Sequence, residues 1–195
     1  MDYRFRPWSF KLVEHRQAVG PRRSSPSWGS WHLADSYIRF WGRWILPYTS
    51  QIEFGETEQL IREVLRPGWD RFVGSVWEEL ARRHVLELAA SRTLPFWPEE
   101  IGSWWSGDAQ IDVVAVQSSR RCALVGEARW RREKMGVADL DALKANARTW
   151  LGKERGWELW YALFSRSGFS AELTALGKDD PNVLLVDPTQ VVGAR

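Results

Sequence analysis

Apolar and polar positions alternate with a period of two over Gln110–Arg129, QIDVVAVQSSRRCALVGEAR, and this pattern predicts two strands joined by a turn in SSRR. Strict alternation puts Asp112, Val114 and Val116 on one face of the first strand and Ile111, Val113 and Ala115 on the other. Ala123, Val125, Glu127 and Arg129 share a face of the second. A reversal at Ser119-Arg120 sets Asp112 opposite Glu127 and Gln110 opposite Arg129. Side chains paired in this way lie about 4.5–5.5 Å apart at Cβ. Two carboxylates at that separation repel each other unless a cation, most simply a divalent metal, sits between them; the competing reading is two solvated acids near strand ends.

The period changes to that of a helix in three places. Tyr37, Phe40, Trp41, Trp44 and Ile45 give an amphipathic helix over Ala34–Leu46, N-capped by Asp35 and ended by Pro47. Trp69–Ala90 carries a buried stripe through Phe72, Val73, Val76, Trp77, Leu80, Ala81, Val85 and Leu88. Turning 100° per residue from Trp77 places Glu78 on the flank of that stripe and Glu79 toward water; His84 falls on the apolar face as a core histidine with a backbone partner. Val137–Trp150 turns Leu140, Leu143, Ala147 and Trp150 inward, with Lys144 and Arg148 on a neighbouring face from which they can approach a phosphate.

The remaining elements are shorter. Trp104-Trp105 end a first strand before the SGDAQ turn, in which Asp108 serves as a turn residue. Glu158–Phe164 is a buried strand, Ser170 caps a short helix with Glu172 in its first turn, and Val183–Val186 is the last strand before Asp187-Pro188. The PRRSSPSWGS stretch makes residues 1–31 a loop or flexible arm. The resulting order, one helix, three strands, helix, strand, helix, strand, predicts a mixed α/β sandwich.

Composition changes this picture little. With 195 residues the chain is long enough for one or two domains, and 27 Lys and Arg against 25 Asp and Glu leave a net charge of only +2. Overall charge therefore does not mark a nucleic-acid binder. The local clusters Arg22-Arg23, Arg82-Arg83, Arg120-Arg121 and Arg129-Arg131-Arg132 each offer phosphate contacts or a solvated face. Cys122 is the single cysteine, which excludes an internal disulfide and a cysteine zinc site and suits a reducing cytoplasm. No signal peptide, long apolar run or GxxxxGK[ST] phosphate loop occurs, so export, membrane spanning and ATP hydrolysis by that loop are not expected.

Asp112 followed by Glu127-Ala128-Arg129 resembles the D…(D/E)-x-K signature of PD-(D/E)xK nucleases, with Arg129 at the lysine position. The blocks His32–Gly55, Gly74–Leu80, Trp104–Val116, Leu124–Trp130 and Tyr161–Leu173 resemble, in order, the C-terminal nuclease-like domain of archaeal-type ATPases. That family joins a P-loop ATPase and a winged helix to such a domain. The resemblance implies a restriction-endonuclease-like α/β core, a mixed sheet flanked by helices, over residues 67–195. Residues 32–66 become an aromatic-rich helical linker, and 1–31 a flexible arm or the remnant of a winged-helix wing.

It also implies Mg²⁺ or Mn²⁺ held by Asp112, Glu127 and the Ala128 carbonyl, with Glu78 completing the metal site, and a catalytic set of Glu78, Asp112, Glu127 and Arg129. Relatives carry an acid where Gln110 stands; Asp108 is the candidate substitute, with the turn role as its first reading. The expected activity is metal-dependent hydrolysis of nucleic acid, DNA first; the rival is a degenerate module that binds DNA or a separate partner ATPase. A third reading makes the helix at residues 34–46 a surface for homo-oligomerisation.

Overall fold

A computed structural model describes residues 12–20 and 29–193, which divide into two compact units. The first comprises residues 12–16 and 29–67, the second residues 17–20 and 68–193.

In the first unit β1 (Val13–Gln17) and β2 (Gly29–Leu33) form a two-stranded sheet, so the described ends of the expected arm are strands; Arg22-Arg23 lie outside the described residues. Helix α1 (Ser36–Phe40) starts as expected, with the Asp35 carboxylate accepting the Ile38 N–H at 3.0 Å. It does not stop at Pro47. The chain widens into a π turn over Trp41–Ile45, tightens into a 3₁₀ turn over Leu46–Tyr48 and continues as α2 (Thr49–Glu53). Pro47 stands in the first turn of the 3₁₀ segment, where its missing donor is tolerated, and the Thr49 hydroxyl donates to the Ile45 and Leu46 carbonyls at 3.3 and 3.0 Å. Helix α3 (Thr57–Leu60) and a second π turn, Ile61–Leu65, complete the unit.

The second unit contains nearly all of the long α4 (Arg66–Ala90), whose buried residues Trp77, Ala81, His84, Val85 and Ala89 recur at helical spacing. Its sheet runs β3 (Glu100–Ser106), β4 (Ala109–Gln117), β5 (Cys122–Arg129), β6 (Glu158–Ser165) and β7 (Val183–Val186) in that spatial order. The first three strands are antiparallel neighbours. β6 and β7 join parallel through crossovers containing α5 (Val137–Leu151) and α6 (Ala171–Asp179), and α7 (Pro188–Val192) follows. This is a mixed α/β fold with a five-stranded mixed sheet flanked by helices.

Each sheet face has its own core. Trp77, Ala81 and Val85 of α4 meet Val113, Ala115, Leu124 and Phe164, and the Trp77 indole N–H donates to the Phe164 carbonyl at 3.2 Å. On the opposite face Leu140, Leu143 and Ala147 of α5 and Leu173 of α6 meet Val114, Val116, Ala123 and Val125. Residues 17–20 add to the outer edge of β3 through an Ala18–Ser103 bridge, with Val19 buried and its carbonyl accepting the Trp150 indole N–H at 2.9 Å. The short strand and helix expected at the C-terminal end are present, and Ser170 caps α6 by accepting the Leu173 N–H at 3.1 Å.

Candidate active site

The β4–β5 hairpin turns where the pattern placed it, through a 3₁₀ turn at Ser118–Arg120. Arg121, at φ 52°, adopts the left-handed conformation that closes the turn, and the Glu99 carboxylate accepts the Ser118 and Ser119 N–H groups at 3.0 and 3.3 Å. The ladder runs from Gln117–Cys122 to Val113–Gly126 in the expected register. Gly126 lies where β5 is crowded from three sides: an added Cβ would stand 3.1 Å from Val113 Cβ, 3.2 Å from the Ala162 carbonyl and 3.3 Å from the Phe164 ring.

The ladder stops one residue before Asp112 because β4 changes step there. On its other side Gly102 faces Val114, whereas Trp104 faces Ile111, so Asp112 and Val113 together oppose Ser103. This is a β-bulge, a device that bends a strand and re-aims a side chain. Strict alternation therefore fails: Ile111 packs in the same core as Val114 and Val116, and Val113 in the opposite one.

Past the bulge, the Asp112 side chain replaces main-chain pairing. Its Oδ2 accepts the Ala128 N–H at 3.0 Å, its Oδ1 accepts from Gln110 Nε2 at 2.8 Å, and its own carbonyl accepts from Arg82 Nη1 at 2.8 Å. Gln110 does not face Arg129 as the extrapolated register required; its ladder partner is Trp105, and Asn146 of α5 donates to its carbonyl at 2.8 Å. Hydrogen-bonding groups alternate in direction along β5. Arg129 turns its carbonyl to β6, where it accepts the Arg166 N–H at 3.1 Å, so the Ala128 carbonyl points to the β4 side with its N–H.

Asp112 and Glu127 are buried, at 5% and 7% exposure. Burial, and next the Asp112 charge, push the Glu127 carboxyl up to about 8; Arg129 opposes this, while Glu78 and Asp139 add to it. Arg129 Nη2 forms an ion pair with Glu127 Oε1. Asp112, whose charge acts on Glu127, thus binds the Ala128 main chain where β4 and β5 part, and carboxylate and carbonyl oxygens are the donors a hard divalent cation takes. Glu78 is half-buried on α4 but does not complete a side-chain ligand set as expected: among the described residues no group of three or more His, Cys, Asp or Glu is arranged to hold a metal. Glu79 is half-buried too, not turned fully to water, and Asp108 lies in the β3–β4 turn.

Other expectations also shift. His84 is buried but has an aromatic rather than a backbone neighbour, Phe164 at 6.2 Å edge-on, and its Nδ1 lacks a hydrogen-bond partner. Lys144 lies over the Tyr161 ring at 5.4 Å. Arg131 Nη2 donates to both Asp139 oxygens at 2.8 Å, and Asp139 also accepts the Gly136 N–H at the start of α5. Arg166 stacks over Trp130 at 4.8 Å, beside Trp77. The loops after β5 and β6 are tied by Ser167 Oγ donating to the Arg131 carbonyl at 2.7 Å and by a Met135–Phe169 bridge. Asn146 carries no signature that a strand or helix pattern could expose; Gln110 is legible only as a departure from its relatives, and Arg82 only as part of a basic pair, whereas it donates to the Asp112 carbonyl.

A family model described as archaea bacterial proteins of unknown function matches residues 41–143, which include Glu78, Asp112, Glu127 and Arg129. An uncharacterized protein of Methanocaldococcus jannaschii is 31% identical over 103 residues, 53% of this chain and 23% of that protein. The chain thus spans about a quarter of the length of this curated relative. No solved structure matches the chain.

Proposed function

The chain belongs to this family of archaeal and bacterial proteins of unknown function, and from that premise we propose that its second unit is a PD-(D/E)xK-like domain that hydrolyses nucleic-acid phosphodiesters, DNA first, with Mg²⁺ or Mn²⁺. The observation that carries this reading is the meeting of buried Asp112 and Glu127 with the Ala128 main chain at the bulged split between β4 and β5. Asp112, Glu127 and the Ala128 carbonyl would hold the metal, whose chemistry is to acidify water and offset charge on phosphate oxygens. Hydrolysis adds water at phosphorus and breaks a P–O bond, the leaving oxygen taking a proton. Gln110 and the Ala128 N–H orient Asp112 for this work. Arg129 can grip a phosphate oxygen pair and stabilise developing charge, but a guanidinium stays protonated and cannot act as the base.

The second reading, a degenerate nuclease-fold module that binds DNA or a partner ATPase, is favoured by one observation. Arg129, in place of the signature lysine, already pairs with Glu127. Mn²⁺-dependent cleavage of duplex, single-stranded and RNA substrates, compared with Asp112→Ala, decides between them. Cleavage lost in the variant supports the enzyme; equal cutting by a correctly folded variant, or none by the parent, rejects it.

A further inference from the structure

The two buried carboxylates are not equally free to change partner. Asp112 is fixed through both oxygens, by Gln110 and by the Ala128 N–H. Glu127 is held by the Arg129 ion pair, whose two side chains differ in depth: Glu127 is 10% exposed and Arg129 49%. Two residues apart on one strand, they share a face. The acid cannot follow its partner into water, whereas the arginine can swing outward on its long stem. Its planar fork also matches a phosphate as well as a carboxylate, and its charge does not titrate away.

Resting on the metal-site reading above, we infer that Arg129 is a phosphate-operated latch on Glu127. While the guanidinium pairs with Glu127, it occupies the place of a cation and the carboxylate is withheld from metal. A nucleic-acid phosphate that draws the guanidinium outward frees Glu127, so metal and polyanion bind cooperatively. Thermodynamic linkage makes that coupling reciprocal: metal raises affinity for the polyanion by the same factor.

The test is calorimetric titration of Mn²⁺ into the full chain, alone and with a saturating oligodeoxynucleotide, using its uncharged methylphosphonate analogue as control, for the parent, Arg129→Gln, Arg129→Lys and Asp112→Ala. The latch predicts that Mn²⁺ binds the parent about tenfold more tightly with the charged oligonucleotide, within the usual range of coupling, and that the methylphosphonate has no effect. Arg129→Gln binds Mn²⁺ about as tightly without oligonucleotide as the parent does with it, and its coupling disappears. Arg129→Lys, which keeps the charge without the fork, falls between. Binding that depends on Asp112 but is unchanged by Arg129→Gln, with coupling intact, overturns the latch and leaves the metal site standing. No Mn²⁺ binding by parent or Arg129→Gln overturns both.

Discussion

Asp112 Oδ2 accepts the Ala128 main-chain N–H at 3.0 Å at the point where β4 and β5 stop pairing. One carboxylate oxygen thus takes over a ladder bond, and Asp112 is structural as well as chemical.

Asp112→Ala leaves a buried N–H without an acceptor, so it should cost about 1–3 kcal/mol in urea unfolding besides any loss of activity. Asp112→Asn keeps an acceptor and should cost less than half as much while still abolishing Mn²⁺ binding. Equal destabilisation by both would show that charge, not the hydrogen bond, holds the split.

Gln110→Leu removes the donor to Asp112 Oδ1 and leaves the Ala128 contact. If the pair binds metal, Mn²⁺ affinity should fall about 10–100-fold, as for other supports of metal ligands. Titration calorimetry against Asn146→Ala, which loosens the Gln110 backbone rather than its side chain, should show the smaller effect for Asn146.

Gly126→Ala forces a methyl against Val113, the Ala162 carbonyl and Phe164 at 3.1–3.3 Å. Overpacking in such a core costs about 1–3 kcal/mol. A thermal midpoint equal to the parent's would mean that β5 shifts without cost.

Two buried groups give opposite pH slopes. The Glu127 carboxyl is pushed up to about 8, so the folded protein holds a proton that the unfolded chain has lost above its ordinary value of 4.5. Its contribution to stability is complete below 4.5 and declines as pH rises through about 8. Burial lowers His84 below its ordinary 6.5, so protonation penalises the fold as pH falls beneath that value. Thermal midpoints between pH 5 and 9 should lose their alkaline slope in Glu127→Gln and their acid slope in His84→Leu.

Local patterns in the sequence determined the hairpin's register and turn, the inward stripes of α4 and α5, the Asp35 and Ser170 caps and the later strands. A period of two or 3.6 and a capping hydroxyl or carboxylate act within a few residues, so one chain segment contains the whole signal. Extended by one step, that register sets Asp112 opposite Glu127, but the ladder ends at Val113–Gly126 and the Asp112 carboxylate accepts the Ala128 N–H instead. Tertiary structure decided the rest. The bulge at Asp112-Val113 arises from a one-residue offset against β3, invisible to alternation within β4. Gln110 is held by Asn146 from 36 positions away, and Arg82 reaches Asp112 from 30. Pro47 does not end the helical path, because it falls in the first turn of the 3₁₀ segment Leu46–Tyr48, where a missing N–H is tolerated. Whether Glu127 faces a metal or a guanidinium is a competition between partners in a buried site, and composition alone does not rank partners that only the folded chain brings together.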